Sequence, residues 1–569
     1  MTDPIDWRQD QTPISKTFND IYFDVDNGLA ESHYVFVDTN EVFEKSSGNL
    51  NIGEFGFGTG LNFFATAQRF LSRQSSGRLF YYSCEKYPLS PQAIRKTMSR
   101  WPELHEIVEE FLQFYSRLPK GFGTFELANR KIRVSIFFGD AKDFLDELEA
   151  SIDVWYFDGF APKKNPEMWA MGICEKVAKL SHQKTSFSSF SSAGFFRRQL
   201  SSLGARVQKK RGYGRKREMS FGQFEALPVK EKKTLPQRIA IIGAGMAGTQ
   251  LAESLNLRMT DYHCFESANE VAHGASGNPI ALVMPYLMSK NPERILFSSS
   301  AFNYQRSLYS SEFYSASGAT HYFFPEEKTR ELARNVQKFD WPEELLTQHE
   351  DHIQFLMAGV FRAKTYIQSF WQHHRDQISL SKKIAKIEIG SNQIILKDET
   401  QKSLGEFDQV FLACSYASID FLPFLKSLTK RTRGQIAFLE EDFQNSSALS
   451  FGHYLSPKVD GLQVFGGTYR HSDFDLDVQT EDFEELEKSF FQFLRQKMRF
   501  TKGRSGVRCH SQNNWPILYT ENGISCMSGF GSRAFSESGL VAETLVSRLF
   551  DEASPISKNW AQSIWRYRT

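Results

Sequence analysis

In the first half of the chain, short apolar runs alternate with glycine-rich turns and amphipathic stretches. Residues 50–64 read LNIGEFGFGTGLNFF, where an apolar run leads into three spaced glycines, and an amphipathic stretch continues through Leu71. This order predicts a strand, a tight turn and a helix. Glycine suits a backbone that adopts a positive φ or passes close to a ligand. The segment therefore predicts cofactor contacts at Glu54, Gly56, Gly58 and Gly60.

Three further apolar runs each end in an acidic residue, at Glu85, Asp140 and Asp158. In a doubly wound sheet, the carboxyl ends of successive strands converge on the crevice that binds ligands. An acid at the end of the second strand can accept hydrogen bonds from both hydroxyls of a ribose. Any one of these acids could instead be a helix N-cap, but three matching positions favour a site. Glu85 and Asp140 are therefore predicted cofactor contacts.

The glycine turn has the form Glu-x-Gly-x-Gly-x-Gly, which is similar to the first motif of class I methyltransferases that use S-adenosylmethionine (SAM). Asp158 is then expected to be catalytic, because it would face the transferring methyl group, hold an amine acceptor and help to remove its proton. The segment that begins there, DGFAPKKNPEMW, contains Trp169. This tryptophan is predicted either to form a wall for a planar base or simply to pack a rigid loop.

A basic segment, KKRGYGRKRE at residues 209–218, closes this half of the chain. Six of its ten residues are Lys or Arg, interrupted by two glycines and a tyrosine. A charge run is usually a solvated face, but this interleaving suits a loop that follows a phosphate backbone and stacks on a base. The predicted RNA contacts are Lys209, Lys210, Arg215, Lys216 and Arg217.

The stretch LPVKEKKTLPQ, residues 227–237, contains two prolines, a cluster of charges and no apolar period, which predicts a linker. The chain is expected to form two domains, 1–228 and 237–569, joined by residues 229–236. The second opens with QRIAIIGAGMAG, which carries the G-x-G-x-x-G fingerprint between a β-rich run and a helical stretch. A further strand ends in an acid. This context predicts a dinucleotide site at Gly243, Gly245, Gly248 and Glu266.

Two segments favour FAD over NAD as the second cofactor. Residues 273–287, HGASGNPIALVMPYL, resemble the segment that lines the isoalloxazine side in amine-oxidising flavoenzymes. Residues 523–545 read as a strand, a Gly-Phe-Gly turn and a helix that return to the flavin. Between them, over roughly residues 290–500, a substrate subdomain of mainly antiparallel strands is expected. Further predicted flavin contacts are Ser276, Asn278, Gly529, Gly531 and Arg533.

Composition narrows the class of protein further. The net charge is only +1, from 68 basic and 67 acidic residues, so a nucleic-acid partner would have to be met by a local basic patch. The six cysteines are scattered without metal-ligand spacing, which argues against a zinc site or a disulfide framework. No signal peptide and no membrane-spanning apolar run are found. We therefore expect a cytoplasmic monomer without a metal or a membrane partner.

Over nearly its full length, the chain resembles the family of bifunctional enzymes that complete 5-methylaminomethyl-2-thiouridine at the wobble position of tRNA. The matching segments are GEFGFGTGLNF, SCEKYPL, DVWYFDGFAPKKNPEMW, SSAGFFRRQL, GYGRKREM, IIGAGMAG, GASGNP, RGQ and GFGSRAF. The resemblance implies an α/β fold in which a class I, Rossmann-like methyltransferase domain precedes an FAD domain similar to glycine and sarcosine oxidases. The flavin domain would oxidise the glycyl C–N bond of a carboxymethylaminomethyl group, and release of glyoxylate would leave an amine for SAM-dependent methylation.

The carboxylate of such a substrate calls for a cation. Arg508 resembles the arginine that holds the carboxylate in glycine-oxidase-like sites, with an ordinary surface ion pair as the alternative, and Arg433 is a second candidate. Asn513 and Ala534 stand where the family usually has Asp and Gly. Two other functions therefore stay open: an RNA-binding methyltransferase whose flavin domain is a scaffold, and an amino-acid oxidase fused to a small-molecule methyltransferase.

Overall fold

The computed structural model describes residues 3–24, 26–41, 48–73, 77–214, 216–230, 233–287, 289–323, 336, 338–339, 341–391, 393–472 and 474–566. The chain forms two compact units, one of Met1–Lys233 with Asp551–Asn559 and the other of Thr234–Phe550 with Trp560–Thr569. The domain limits that the sequence suggests, at residues 228 and 237, stay a prediction. The grouping of a short segment near the C-terminus with the first unit is not indicated by the sequence.

The first unit alternates strands and helices. Its strands are β1 (Ile5–Trp7), β2 (Pro13–Ser15), β3 (Asp20–Ile21), β4 (Leu50–Phe55), β5 (Leu79–Glu85), β6 (Gly121–Leu127), β7 (Ile132–Phe138), β8 (Ile152–Phe157), β9 (Ser181–Ser189), β10 (Ala205–Arg211) and β11 (Glu218–Phe224). Its helices are α1 (Gly28–Ser32), α2 (Leu61–Leu71), α3 (Pro91–Met98), α4 (His105–Tyr115), α5 (Ala141–Glu147), α6 (Met171–Lys179) and α7 (Gly194–Ser202).

Among the described residues, an eight-stranded sheet forms the centre of this unit, in the order β10–β11–β9–β8–β4–β5–β7–β6. The strands from β9 to β7 run parallel, while β6, β11 and β10 are antiparallel to their neighbours. The predicted strand, turn and helix are confirmed, since β4 ends at Phe55 and α2 begins at Leu61. Because the inner strands are parallel, the carboxyl ends of β4, β5, β7 and β8 meet at one edge.

The second unit is larger. Its strands are β12 (Ile239–Ile242), β13 (Tyr262–Phe265), β14 (Ala281–Val283), β15 (Tyr314–Ser315), β16 (Ala319–Tyr322), β17 (Leu346–Gln348), β18 (His352–Phe355), β19 (Gly359–Phe361), β20 (Ile378–Ser379), β21 (Lys386–Ile389), β22 (Ile394–Lys397), β23 (Ser403–Phe407), β24 (Gln409–Leu412), β25 (Thr429–Phe438), β26 (Ala448–Ser450), β27 (Tyr454–Leu455), β28 (Val464–Gly466), β29 (Gly503–Ser511), β30 (Ile517–Glu521), β31 (Ile524–Ser528) and β32 (Trp565–Arg566). The helices that follow the first unit are α8 (Met246–Asn256), α9 (Pro292–Leu308), α10 (Ala363–His373), α11 (Thr480–Leu494), α12 (Ala534–Leu549) and α13 (Lys558–Ile564).

Two large sheets share the second unit. One has the order β20–β13–β12–β24–β31–β30–β32 and is parallel from β20 to β31. The other has the order β17–β18–β16–β26–β27–β28–β25–β29 and is antiparallel except where β16 pairs with β26. The expected antiparallel subdomain is therefore present, but residues 290–500 are not confined to it. The strands β20 and β24 come from that range and return to the parallel sheet.

Buried ion pairs hold the long helix α12 in place. Residues 535–547 of α12 are all buried, and the helix packs against α8 and α9. Glu537 of α12 accepts two hydrogen bonds from Arg294 of α9, at 2.8 and 2.9 Å, and both side chains are fully buried. Glu543 is paired in the same way with Arg258, which follows α8. These contacts hold α12 in place. Its first residue, Ala534, lines a cavity of the second unit that is described below.

The segment 551–559 packs on the first unit through its backbone carbonyls. Arg133 of β7 donates to the carbonyl of Ala553, and Thr124 of β6 donates to that of Pro555 at 2.7 Å. Ile556 is fully buried. This segment therefore covers the β6–β7 end of the sheet.

No helix in the described part of the chain is both long and apolar enough to span a membrane. Within the same ranges, no group of three or more His, Cys, Asp and Glu side chains could hold a metal ion.

Replacing Glu537 by Ala should destabilise the second unit strongly, because it leaves the guanidinium of Arg294 buried without its carboxylate. We expect a loss of about 3–5 kcal/mol in the free energy of unfolding, measured by urea denaturation. The matched control is Glu399→Ala, since Glu399 forms an exposed pair with Lys383, and exposed pairs contribute at most about 1 kcal/mol. Equal losses in the two variants would contradict the role assigned to the buried pair.

Candidate functional site

The first unit contains a cavity of about 600 Å³ at the carboxyl ends of β4, β5, β7 and β8. Gly56 and Gly58 of the predicted turn line it, with φ of +76° and +54°, where a side chain would strain the backbone. Gly60 is set back from the cavity. A Cβ at Gly60 would lie 2.8 Å from the ring of Phe57 and 2.9 Å from that of Phe64, so this glycine serves the packing of the turn.

Both acids predicted to contact the cofactor line this cavity. The Glu85 carboxylate accepts hydrogen bonds from the backbone N–H groups of Gly58 and Tyr87, each at 2.8 Å. Asp140 is the N-cap of α5 and also pairs with Lys86 at 3.1 Å. The N-cap alternative is thus correct for Asp140 without removing it from the cavity wall. The Glu85 carboxyl group is shielded from water, and this burial raises its pKa. Its remaining lone pairs can therefore accept hydrogen bonds from the hydroxyls of a sugar.

Asp158, the predicted catalytic residue, is joined to Glu54 through a side chain that the sequence did not single out. The amide nitrogen of Asn62 donates to Asp158 Oδ2 at 2.7 Å and to Glu54 Oε1 at 3.0 Å. Burial raises the pKa of Asp158 to about 6, although hydrogen bonds from Gly159 and Asn62 oppose the change. Glu54 is fully buried behind the turn. Its influence therefore reaches the cavity through Asn62 and not by the direct contact that we predicted.

The aromatic wall of the cavity is not the predicted one. Trp169 is buried, donates to the carbonyl of Phe160 and packs against other rings behind the loop. This placement agrees with the alternative of a tryptophan that packs a rigid loop. The rings that do line the cavity include Phe18, Tyr22 and Phe160, and the first and last are stacked at 4.6 Å. Phe18 and Tyr22 flank β3, a segment in which the sequence showed no motif.

One lysine of the basic segment, Lys216, lines the cavity of the first unit. Lys216 lies 2.7 Å from Glu31 Oε1, lines the cavity and lowers the pKa of Asp158 by its charge. Glu31 also accepts the backbone N–H of Asp24. Lys216 therefore belongs to the wall of this cavity, and its predicted contact with RNA stays a prediction.

The basic segment joins two paired strands, since β10 ends at Arg211 and β11 begins at Glu218. The predicted loop lies between these strands. Lys209 and Lys210 lie on β10, which pairs with β11. Lys209 pairs with Glu218 at 2.7 Å, and Lys210 sits 4.3 Å from the ring centre of Tyr34. Arg217 is exposed, and Arg215 lies outside the described residues. The predicted RNA contact of these side chains stays a prediction.

The second unit contains a cavity of about 350 Å³ beside the parallel sheet. Gly243, Gly245, Glu266 and Ser276 line it as predicted. Gly243 has a φ of +108°, and the helix α8 begins directly after Gly245. Glu266 accepts the backbone N–H of Ala244 at 2.9 Å. The helix N-terminus and the carboxylate thus face one cavity, as a dinucleotide requires.

Three of the predicted flavin contacts act behind the cavity. A Cβ at Gly248 would lie 1.9 Å from the carbonyl of Gly243, so this glycine permits close packing of helix and strand. Asn278 accepts a hydrogen bond from Arg504, and Arg533 lies 4.4 Å from the ring centre of Tyr286. None of the three is among the described residues that line the cavity.

The far end of the second cavity is formed by Arg508, Gly529, Gly531 and Ala534. The Nη1 group of Arg508 is buried and has no hydrogen-bond partner among the described residues. Arg433, in contrast, is fully buried and donates to Asp482, Gln435 and two backbone carbonyls. The second candidate for the substrate carboxylate is therefore already engaged, because the protein itself supplies its acceptors.

The two cavities fit their expected cofactors. The first offers positive-φ glycines that allow close approach and a carboxylate at the end of β5 for a ribose, as SAM needs. The second offers a glycine turn, a helix N-terminus and a carboxylate at the end of β13, as FAD needs. At the far end, Gly531 leaves no room for a side chain, since a Cβ there would lie 2.2 Å from the ring of His510.

Comparison with known proteins agrees with this pairing of sites. Residues 102–225 match the family of S-adenosyl-L-methionine-dependent methyltransferases, and residues 238–548 match the family of FAD dependent oxidoreductases. A solved fructosyl peptide oxidase shares the fold over 58% of this chain and 94% of its own, with a TM-score of 0.50 and 10% identity. The fold and the sites define a SAM-dependent methyltransferase joined to an FAD-dependent oxidoreductase.

Full-length relatives identify the family. The chain is 31% identical to the tRNA 5-methylaminomethyl-2-thiouridine biosynthesis bifunctional protein MnmC of Leptospira borgpetersenii, over 98% of either chain. It is 29% identical to the protein of the same name from Idiomarina loihiensis, over 98% of this chain and 97% of the relative. The chain belongs to this family of bifunctional tRNA-modification proteins.

Replacing Gly531 by Ala should prevent flavin binding, because the new methyl group would collide with the half-buried ring of His510. The φ of Gly531, +59°, is also one that an L residue rarely adopts. We expect the flavin content, read from visible absorbance after desalting, to fall at least about tenfold. Gly461→Ala is the control, since its φ is +80° but nothing lies within 4 Å of the added carbon. A second change, His510→Ala, should restore part of the flavin. Full flavin in Gly531→Ala would contradict this account of the site.

Proposed function

We propose that this chain carries out two successive reactions on the wobble uridine of tRNA. The flavin unit removes the carboxymethyl group from 5-carboxymethylaminomethyl-2-thiouridine, and the methyltransferase unit methylates the amine that remains. The observation that carries the first step concerns Arg508, which lines the flavin cavity and whose buried Nη1 group has no hydrogen-bond partner within the described ranges. The names of the full-length relatives support 5-methylaminomethyl-2-thiouridine as the product and tRNA as its carrier.

Arg508 is proposed to bind the substrate's carboxylate. A guanidinium matches a carboxylate in a two-point hydrogen bond, and a free N–H in a buried place is costly until such an acceptor arrives. FAD, which Gly243, Gly245 and Glu266 would hold, would supply the two-electron oxidant. A hydride, with its two electrons, would leave the glycyl carbon and a proton would leave the nitrogen, which forms the C=N bond of an imine. Water then adds to the carbon of the resulting imine, the C–N bond breaks, and glyoxylate leaves. An aminomethyl group stays on the uridine.

Asp158 is proposed to act on that amine in the first unit. Bound SAM supplies the methyl group. The amine nitrogen gains the methyl carbon and gives up one proton, with the electron pair of the broken sulfur–carbon bond staying on sulfur. Since the pKa of Asp158 is about 6, its carboxylate is charged at neutral pH and can accept an N–H of the amine. The stacked pair of Phe18 and Phe160 is proposed to contact the base in place of Trp169.

Of the two departures from the family pattern, Ala534 lines the flavin cavity and Asn513 does not. Asn513 accepts the backbone N–H of Trp515 at 3.2 Å and so closes a local turn, and it is not among the described residues that line the cavity. Ala534 lines the cavity at the start of α12. A methyl group at that position narrows the cavity wall but replaces no charged or hydrogen-bonding group.

The proposed function is tested by incubating the purified protein with tRNA that carries 5-carboxymethylaminomethyl-2-thiouridine, with and without SAM. Mass spectrometry of the nucleosides should show the aminomethyl nucleoside without SAM and the methylaminomethyl nucleoside with it.

The reaction of the Asp158→Asn variant should stop at the aminomethyl nucleoside, and its rate of methylation should fall more than about 100-fold. The Arg508→Lys variant should leave the starting nucleoside unreacted but should still methylate tRNA that already carries aminomethyl.

In the wild-type protein, methylation should decline below about pH 6, where Asp158 becomes protonated.

An untouched starting nucleoside together with methylation of aminomethyl tRNA would refute the flavin step and favour a scaffold role. Loss of both reactions in a folded Asp158→Asn variant would refute two separate sites.

Neutralising four side chains of the basic segment should weaken tRNA binding and flatten its salt dependence, because each phosphate contact adds about 0.7–0.9 to the slope of log K against log salt. The variant replaces Lys209, Lys210, Arg215 and Arg217 by Gln and leaves Lys216, which belongs to the cavity wall. The control removes the same charge from exposed lysines of the second unit, namely Lys383, Lys386, Lys402 and Lys458. Equal salt slopes in both variants would rule out the RNA role of the basic segment.

A further inference from the structure

We propose that Asn62 is a positioning residue for methylation, because its amide joins the carboxyl groups of Glu54 and Asp158 so that the pair holds one negative charge, on the cavity side. This inference rests on the proposed methylation of an amine. It assigns roles to two residues that act through Asp158, and it explains why a carboxyl group is buried behind the glycine turn.

The contacts of Asn62 use both N–H bonds of its amide. The nitrogen lies 3.0 Å from Glu54 Oε1 and 2.7 Å from Asp158 Oδ2, and a primary amide has one hydrogen for each acceptor. Asn62 sits in the first turn of α2 and is buried. Its rotamer is therefore limited by both carboxyl groups at once, and it holds Asp158 Oδ2 in one place.

The other oxygen of each carboxyl group also has a partner. Glu54 Oε2 lies 2.8 Å from the hydroxyl of Ser83, and Asp158 Oδ1 accepts the backbone N–H of Gly159 at 2.9 Å. A serine hydroxyl can donate or accept, so Ser83 can serve Glu54 with or without a proton. Ser83 can therefore accept a hydrogen bond from a protonated Glu54. The partners of Asp158 named here, Asn62 and Gly159, both donate and so favour its charged form.

This asymmetry decides which carboxyl group is charged. Two nearby carboxylates do not both ionise readily. Burial and the charge of Asp158 raise the pKa of Glu54 to about 8, while the pKa of Asp158 is about 6. At neutral pH, Glu54 keeps its proton and Asp158 carries the charge.

The other ionisable groups around the pair do not cancel this charge. Lys216 and Glu31 face Asp158 from the basic segment and from α1, but they are paired with each other at 2.7 Å. Tyr81 of β5 and Tyr156 of β8 lie near Glu54, and burial raises the pKa of each phenol, so both are neutral. The single charge on Asp158 is therefore available to an amine in the cavity.

The role of Asn62 is tested with a SAM analogue that carries a primary amine in place of the transferable methyl group. Calorimetric titration gives the affinities of this analogue and of SAM between pH 5 and pH 9, without any RNA. We expect wild-type protein to prefer the analogue at neutral pH and to lose that preference below about pH 6. Asn62→Leu should reduce the preference about tenfold and move its midpoint to higher pH, because Asp158 loses a donor to its charged form.

A double-variant cycle separates this role from packing. In an Asp158→Asn background, Asn62→Leu should cause no further loss of preference, since Asn62 acts through Asp158. Thr66→Val is the control on the same helix and should leave the midpoint unchanged, because the hydrogen bonds of Thr66 within the described part of the chain go to the Asn62 carbonyl and to Tyr156. If Asn62→Leu does not bind SAM, the isosteric Asn62→Asp should still raise the midpoint.

Four results would overturn the proposal. Equal changes in affinity for SAM and for the analogue in Asn62→Leu would show a packing role alone. An unchanged midpoint in Asn62→Asp would do the same. Absence of any preference in the wild-type protein would refute the charge on Asp158 as well, and with it the proposed role of Asp158 in methylation. A normal wild-type preference with an unresponsive Asn62 would refute only the role of Asn62.

Discussion

In each unit, one carboxylate ties the glycine turn to a neighbouring loop. This carboxylate lies at the end of β5 in the first unit and at the end of β13 in the second, and the loop follows that strand. Glu85 accepts the backbone N–H groups of Gly58 and Tyr87, and Glu266 accepts those of Ala244 and Ala268. The tie is possible because β4 and β5 in the first unit, and β12 and β13 in the second, are parallel neighbours. It fixes the shape of both cavities, and the remaining lone pairs of each carboxylate can still serve a ribose. The positions at which α2 and α8 begin, directly after the two glycine turns, depend on these hydrogen bonds.

Buried polar networks then decide which charged groups are free to act. Along the paired strands β25 and β29, Thr432 lies opposite Arg508 and Arg433 lies opposite Val507. Because successive residues of a strand point to opposite faces, the two arginines face different environments. Arg433 meets acceptors of its own chain, among them Asp482, and Arg508 meets the cavity. Strand register therefore separates an arginine that stabilises the fold from one that is available to a ligand.

The reliable sequence signals were local ones. Glycine turns between a strand and a helix, and acids at strand ends, depend on a few consecutive residues, and the structure shows the predicted turns and acids at both cavities. The sequence was less informative about side chains whose surroundings depend on tertiary packing. Trp169 packs behind its loop, the second of the two placements considered, and Lys216 pairs with Glu31. Lys209 and Lys210 lie on a strand because β10 pairs with β11, which pairs in turn with β9.

The sequence by itself determined the two cofactor folds, their order and the turns that hold each cofactor, because these depend on backbone conformation and on residues close in the chain. Only the tertiary structure decided that Glu54 acts through Asn62, that Phe18 and Phe160 form the aromatic wall, and that residues 551–559 pack on the first unit. The physical reason is that burial and hydrogen-bond partners belong to the packed chain. A carboxylate, a guanidinium or a ring has the same letter in the sequence whether it lines a cavity or closes a turn behind it.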